Sequence, residues 1–160
     1  MFVVDTNILL YAADRDSPEH EICRPLLETW RRQTTPWYLT WGIVYEFQRV
    51  ATHPNVFRKP LPPGEAWKFI EAILASPSVS VLTESERHQA VASEVFAQTP
   101  GIAGNLVFDA HTAILMKEHG VKAIYTRDAD FHRFSFLDVI DPMQDHGRTA
   151  AVRRHPKSRN

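Results

Sequence analysis

The 160-residue sequence contains a single cysteine, Cys23, and only six glycines. One thiol excludes an internal disulfide framework and a cysteine-rich zinc site, and it suits a reducing compartment. The glycines form no Gly-x-Gly-x-x-Gly or comparable phosphate-cradling loop, which removes the case for a dinucleotide or nucleoside triphosphate site. No segment approaches the ~20 consecutive apolar residues that a bilayer crossing requires. The N-terminal Phe2-Val3-Val4 is interrupted by Asp5 and precedes the first basic residue, Arg15, which is the wrong order for a secretory signal. The expectation is a soluble cytoplasmic protein with no membrane partner. An excess of positive charge is missing too: 18 Lys and Arg face 19 Asp and Glu, a formal net charge of −1. Five of those basic residues (Arg148, Arg153, Arg154, Lys157 and Arg159) lie in 148–160, leaving 13 against 19 acids in residues 1–147. An acidic body cannot grip nucleic acid by side-chain charge alone, so an action on RNA calls for divalent cations at the site.

Hydrophobic residues make up 44% of the chain, enough for one buried core, and the length suits one domain over 1–147 followed by a basic tail at 148–160. The patterning alternates strand with helix. Phe2 to Asp5 reads as a short buried strand, Thr6 to Ala13 as a helix, and Ser17-Pro18 as the cap and first turn of a helix reaching Arg32. Trp37 to Leu39 is a strand, and Thr40 caps a helix to about Thr52. A proline-rich loop spans 54–63 and a helix follows from Gly64 to Ala75. Val79 to Leu82 is a strand, and Thr83 or Ser85 opens a helix to Gln98. Asn105 caps a helix stopped by Gly120, and Ala123 to Thr126 and Leu137 to Ile140 are the last strands. This order predicts a three-layer α/β sandwich: a mostly parallel, twisted sheet flanked by helices.

In such sheets ligands sit beyond the carboxyl ends of the strands, which gives meaning to four acids. Asp5 ends the first strand and Asp128 follows the strand at 123–126. Glu46 lies on the helix capped by Thr40, and Asp109 is in the opening turns of the helix after Asn105. Converging carboxylates repel one another unless a cation joins them, and an all-oxygen donor set suits Mg²⁺ or Mn²⁺. Hydrolysis of a phosphodiester is the chemistry this combination serves. Each acid also has a purely structural reading. Asp5 can cap the helix after it, Glu46 can pair with Arg49, Asp109 can complement a helix dipole, and Asp128 and Asp130 can shape a turn.

Four segments, in order, resemble the PIN-domain proteins: Val-Val-Asp-Thr-Asn-Ile-Leu-Leu-Tyr-Ala at 3–12, Val-Tyr-Glu-Phe around Glu46, Val-Phe-Asp-Ala-His around Asp109, and Tyr-Thr-Arg-Asp-Ala-Asp-Phe at 125–131. Val50-Ala51-Thr52-His53-Pro54-Asn55-Val56 is further similar to the VapC branch, the toxin ribonucleases of type II toxin–antitoxin pairs. The resemblance implies metal-dependent cleavage of RNA. It makes Asp5, Glu46, Asp109 and Asp128 the catalytic acids, with metal on Asp5, Asp109 and Asp128 and support from Asn7, Thr126 and Asp130. It also implies a homodimer and a VapB-type antitoxin partner. The same Val-Val-Asp-Thr-Asn opening is similar to phosphatases of the haloacid-dehalogenase type, but Asn7 stands where those enzymes need a second aspartate. A reading from another class is a non-catalytic RNA- or protein-binding module on the same fold.

Other residues invite functions that their placement disfavours. Among eight histidines, His111 and His119 lie on one helix but roughly 12 Å apart along its axis, too far to share an ion. His111 faces away from Asp109 and reads as a surface group. Trp30 and Trp67 sit on apolar helix faces and read as core. Trp37 and Trp41 flank Thr40 and read as candidates for a dimer or antitoxin interface.

Overall fold

A computed structural model describes residues 1–57 and 59–144. The end of the expected domain and the basic tail at 148–160 fall outside the described residues. Five strands form one parallel sheet: β1 (Phe2–Val4), β2 (Trp37–Thr40), β3 (Val79–Leu82), β4 (Ala123–Tyr125) and β5 (Asp138–Ile140). Their spatial order is β3-β2-β1-β4-β5. Every pairing is parallel, so both faces need cover, and the central strands are accordingly apolar throughout. Val3, Val4, Leu39 and Ile124 are wholly buried. The helices α1 (Thr6–Ala13), α2 (His20–Arg32), α3 (Trp41–Ala51), α4 (Pro63–Leu74), α5 (His88–Gln98) and α6 (Leu106–Glu118) supply the cover. Among the described residues no helix is long and apolar enough to cross a membrane.

The chain runs outward from β1 to β2 and β3, then returns through α5 and α6 to place β4 on the other flank of β1. The strand order therefore reverses between β1 and β4, with Val3 opposite Ile124. A crevice opens at such a reversal because the connections leave the carboxyl ends in opposite directions. Asp5 and the Thr126–Asp128 segment lie at that edge.

Several helix ends follow from local chemistry. Asp5 caps α1 through Oδ1, which accepts from Thr6 N at 2.7 Å, and Thr40 Oγ1 accepts from Ile43 N at 3.1 Å at the start of α3. Gly120, at φ +67°, ends α6: its N–H donates to Lys117 O, and Val121 N–H donates to Met116 O at 2.9 Å. Those two bonds satisfy carbonyls that the helix leaves open.

Two predicted starts are displaced, and a third, at Asn105, stands where expected without its side-chain cap bond. Ser17 does not cap α2, which begins at His20; its hydroxyl instead donates to Glu19 Oε2 at 2.6 Å. Asn105 is itself helical and makes no side-chain cap. The α5 helix starts at His88 because Ser85 is engaged elsewhere, its hydroxyl donating to the buried Glu118 at 2.6 Å. In each case a competing bond or a turn outweighs the local capping tendency.

Trp37 is not at an interface. It is fully buried, and its Nε1 donates to Trp30 O and Ser78 Oγ, both at 3.1 Å. Only Trp41 is exposed among the pair, stacked on Tyr45 with ring centroids 5.8 Å apart. Replacing Trp37 by Phe removes core volume and a satisfied buried donor, and should destabilise the fold by about 2–3 kcal/mol. A urea melt read by circular dichroism checks this; an unshifted midpoint contradicts the assignment.

Candidate metal centre

The site begins with a hydroxyl that binds four residues together. Thr126, fully buried at the end of β4, donates from Oγ1 to Asp5 Oδ2 at 2.6 Å. The same oxygen accepts from Asn7 Nδ2 and from Asp128 N–H, both at 2.9 Å. Asn7 Nδ2 also donates to Asp5 Oδ2 at 2.7 Å, and Asn7 Oδ1 accepts from Arg127 N–H at 3.2 Å. Asp5 thus has both oxygens committed. Its neighbours on β1 and β4 are locked in register by side chains as well as by the strand ladder.

Three acids stand beyond this hub. Asp109, Asp128 and Asp130 each present a carboxylate oxygen within 4.8 Å of the others, a spacing that one cation can span. Asp128 caps a short 3-10 turn, Ala129–Arg133, by accepting from Asp130 N–H at 2.8 Å. That turn brings Asp130 alongside Asp128. Glu46 approaches from α3, where Oε2 accepts from Thr6 Oγ1 at 2.9 Å and Oε1 from Arg49 at 3.3 Å. Of the acids expected to hold metal, Asp109 and Asp128 belong to this group and Asp130 takes the place expected of Asp5, while the charges of Asp5 and Glu46 are near enough to act on Asp109. Asp5 and Glu46 flank the tight group rather than belonging to it.

Electrostatics record the crowding. Burial pushes the Asp5 carboxyl up to about 6 despite the bonds from Thr126 and Thr6, and the charges of Glu46 and Asp128 add to the rise. Asp109 is pushed up to about 7, by burial first and then by the negative charges of Asp128, Asp5, Glu46 and Asp130. Carboxylates that resist their own ionisation near neutral pH are the complement of a divalent cation, and the donor set is all hard oxygen. The described residues therefore fit Mg²⁺ or Mn²⁺; among them the histidines form no metal-holding group.

Two contributions escaped the sequence reading. Thr6 anchors Glu46 across 40 residues, and only its position beside Asp5 hints at it. Arg127 braces the edge: its guanidinium donates to Glu19 at 2.6 Å, tying the turn before α2 to the end of β4. His111 lies away from the acids, 3.0 Å from Glu84, consistent with its expected surface position.

With this geometry, comparison with known proteins is informative. The PIN domain matches residues 2–137. Ribonuclease VapC48 of Mycobacterium tuberculosis is 34% identical over 138 residues, covering 86% of this chain and 94% of the relative. Ribonuclease VapC43 of the same organism is 36% identical over 147 residues, covering 89% and 96%. Among solved structures, Mycobacterium tuberculosis VapC20, described as a sarcin-ricin loop cleaving toxin, superposes with a TM-score of 0.63 at 19% identity, over 88% of this chain and all of that one. VapBC2 from Rickettsia felis, bound to a promoter DNA fragment, gives 0.61 at 17% identity, over 87% and 96%. The structural likenesses extend the agreement in fold, while the sequence matches span nearly the whole of both partners, and by them the chain belongs to the PIN-domain family and to its VapC ribonucleases.

Proposed function

We propose that this protein is a metal-dependent endoribonuclease and the toxin of a toxin–antitoxin pair, acting on cytoplasmic RNA. The observation that carries the reading is the carboxylate group of Asp109, Asp128 and Asp130, faced by Asp5 and Glu46 at the edge where the strand order reverses. Asp109 and Asp128 would hold Mg²⁺ or Mn²⁺, with Asp5 as a further ligand and Asp130 in reach. When bound, the ion supplies neutralisation of these acids, a more acidic water and a polarised phosphodiester. Asn7 and Thr126 hold the Asp5 carboxylate in one orientation, a positioning role. Glu46, held by Thr6 at Oε2 and by Arg49 at Oε1, would complete the site and help position the attacking water.

Partner binding is part of the same reading. The structural neighbours include VapBC2 from Rickettsia felis and FitAcB from Neisseria gonorrhoeae, with TM-scores of 0.61 and 0.59. A VapB-type antitoxin of this chain would cover the acidic edge, and a second copy of the chain would cover the exposed Trp41–Tyr45 stack. Tyr45→Arg should shift the protein to monomers in light scattering without changing its melting temperature; persistence of dimers removes that face from the interface.

Purified protein should cleave total RNA with Mg²⁺ or Mn²⁺ and leave it intact in EDTA. Thr126→Val, which withdraws the donor to Asp5, should lower activity about 10- to 100-fold, and Asp109→Asn should lower it further. Intact RNA with metal bound, or full activity of Asp109→Asn, contradicts the proposal.

Stability without metal should also depend on pH in a defined direction. The folded state keeps protons on Asp5 and Asp109 at pH values where the unfolded chain has released them. The stability they contribute is therefore complete below the ordinary carboxylate range and is lost as pH rises through about 6 to 7. From about pH 4 to about pH 8, between the ordinary carboxylate value and the raised values of Asp5 and Asp109, the metal-free melting temperature of the wild type should fall relative to that of Asp109→Asn, and added Mn²⁺ should close the gap. Parallel curves for the two proteins would exclude this electrostatic account.

A further inference from the structure

A cleft of about 280 Å³ lies between α1 and the end of α3. Asn7, Leu10, Tyr11 and Asp14 line it from α1 and its C-cap, spaced on one helix face opposite the buried Ile8, Leu9 and Ala12. Val50, one turn beyond Glu46 on α3, and the buried Phe57 form the other wall. The two loops at its mouth are tied by Lys59 and Asp16 at 3.3 Å. The walls are apolar and the rim is polar, the pattern of a site for a flat, mainly apolar molecule with polar edges. Its volume falls just below the usual range for ligand pockets, which suits one nucleobase and excludes a base pair.

Continuity decides the occupant. Asn7 lines the cleft and also donates to Asp5, so the cleft and the acid edge share a wall. A base joined through its ribose to a phosphate at the acids would lie beside that wall. Two guanidiniums already paired with carboxylates flank the cleft: Arg127, bonded to Glu19 and 5.9 Å from the Tyr11 ring centroid, and the exposed Arg49, bonded to Glu46. Asp14 Oδ1 accepts from Asp16 N–H at 3.0 Å, which leaves Oδ2 as the free acceptor at the rim and favours a base edge carrying an exocyclic amine.

The geometry points to a subsite for one unpaired, amino-bearing nucleobase (cytosine, adenine or guanine) in the cleft between α1 and α3, with Asp14 as the residue that selects it. This deepens the ribonuclease reading and rests on it: the substrate would be an RNA segment able to present an unstacked base next to the cleaved phosphate. Tyr11 stacks on the base, Val50 and Phe57 pack its other side, and Asp14 accepts from its amine.

The test is a titration of the Mg²⁺-loaded protein with CMP, AMP, GMP, UMP and inorganic phosphate, followed by amide NMR. Amide shifts at Leu10, Tyr11, Val50 and Phe57 are expected with the three amino-bearing nucleotides, with UMP binding about tenfold weaker. Asp14→Asn should erase that preference, and Val50→Trp, which fills the cleft, should abolish the cleft shifts while Mn²⁺ still raises the melting temperature. Tyr11→Ala provides a second variant should Val50→Trp not fold. Shifts confined to Asp128 and Asp130, alike for phosphate and every nucleotide, overturn the subsite, as does a cleft that only a protein side chain fills. The two readings fail separately. RNA cleavage that needs Asp109 but ignores Val50→Trp and Asp14→Asn removes the subsite alone, and base binding at the cleft without RNA cleavage removes the nuclease alone.

Discussion

The bond from the Thr126 hydroxyl to the Asp5 carboxylate is the contact on which the site depends. A carboxylate with almost no solvent access carries a heavy desolvation penalty, and Asp5 remains there because three donors meet its two oxygens. Thr126 contributes one of those donors and, with its lone pairs, fixes Asn7 and the Asp128 amide. One oxygen therefore orients the end of β1, the start of α1 and the loop after β4. Burial still prevails over the bonds in setting the Asp5 pKa, and this residual strain makes the edge receptive to a cation.

Structural and chemical roles coincide at these acids. Asp5 caps α1, Asp128 caps the turn after β4, and Glu46 pairs with Arg49, each as an ordinary protein carboxylate would. A cap contributes typically about 1 kcal/mol, and an exposed ion pair less. Neither is enough to explain why five acids face one another, since moving any of them to the surface would relieve repulsion. What these bonds accomplish is orientation: both oxygens of Asp5 and of Glu46 are fixed, and Asp128 is held by one. Asp109 has no such bond and carries the largest upward shift.

Much of this could be read from the chain because the relevant signals are local. Asp5 and Asp128 each follow a short apolar strand, Thr40 announces α3, and Gly120 ends α6. The resemblance of four ordered segments then linked acids that spacing alone left ambiguous. What escaped was set by partners far along the chain. Ser17 reads as a cap until Glu19 engages it, and Glu19 is held by Arg127, 108 residues away. Ser85 is captured by Glu118, and Thr6 by Glu46. Trp37 and Trp41 look equivalent in sequence, yet one sits on a central strand and the other on the outer face of a helix. Asp130 acquires its place from a 3-10 turn with no periodicity to detect.

The placement of β1 between β2 and β4 has a consequence for synthesis. Phe2 to Val4 leave the ribosome well before one of their two neighbours, which arrives more than a hundred residues later. Until Ala123 to Thr126 have been translated, Asp5 has no Thr126 to hold it, and Asp128 does not yet exist. Non-local pairing of this kind is slow to form and late to complete. A nascent chain halted short of that point displays the first acid of the set but no assembled edge, so the acidic group comes into being only once β4 and the turn after it have joined the sheet.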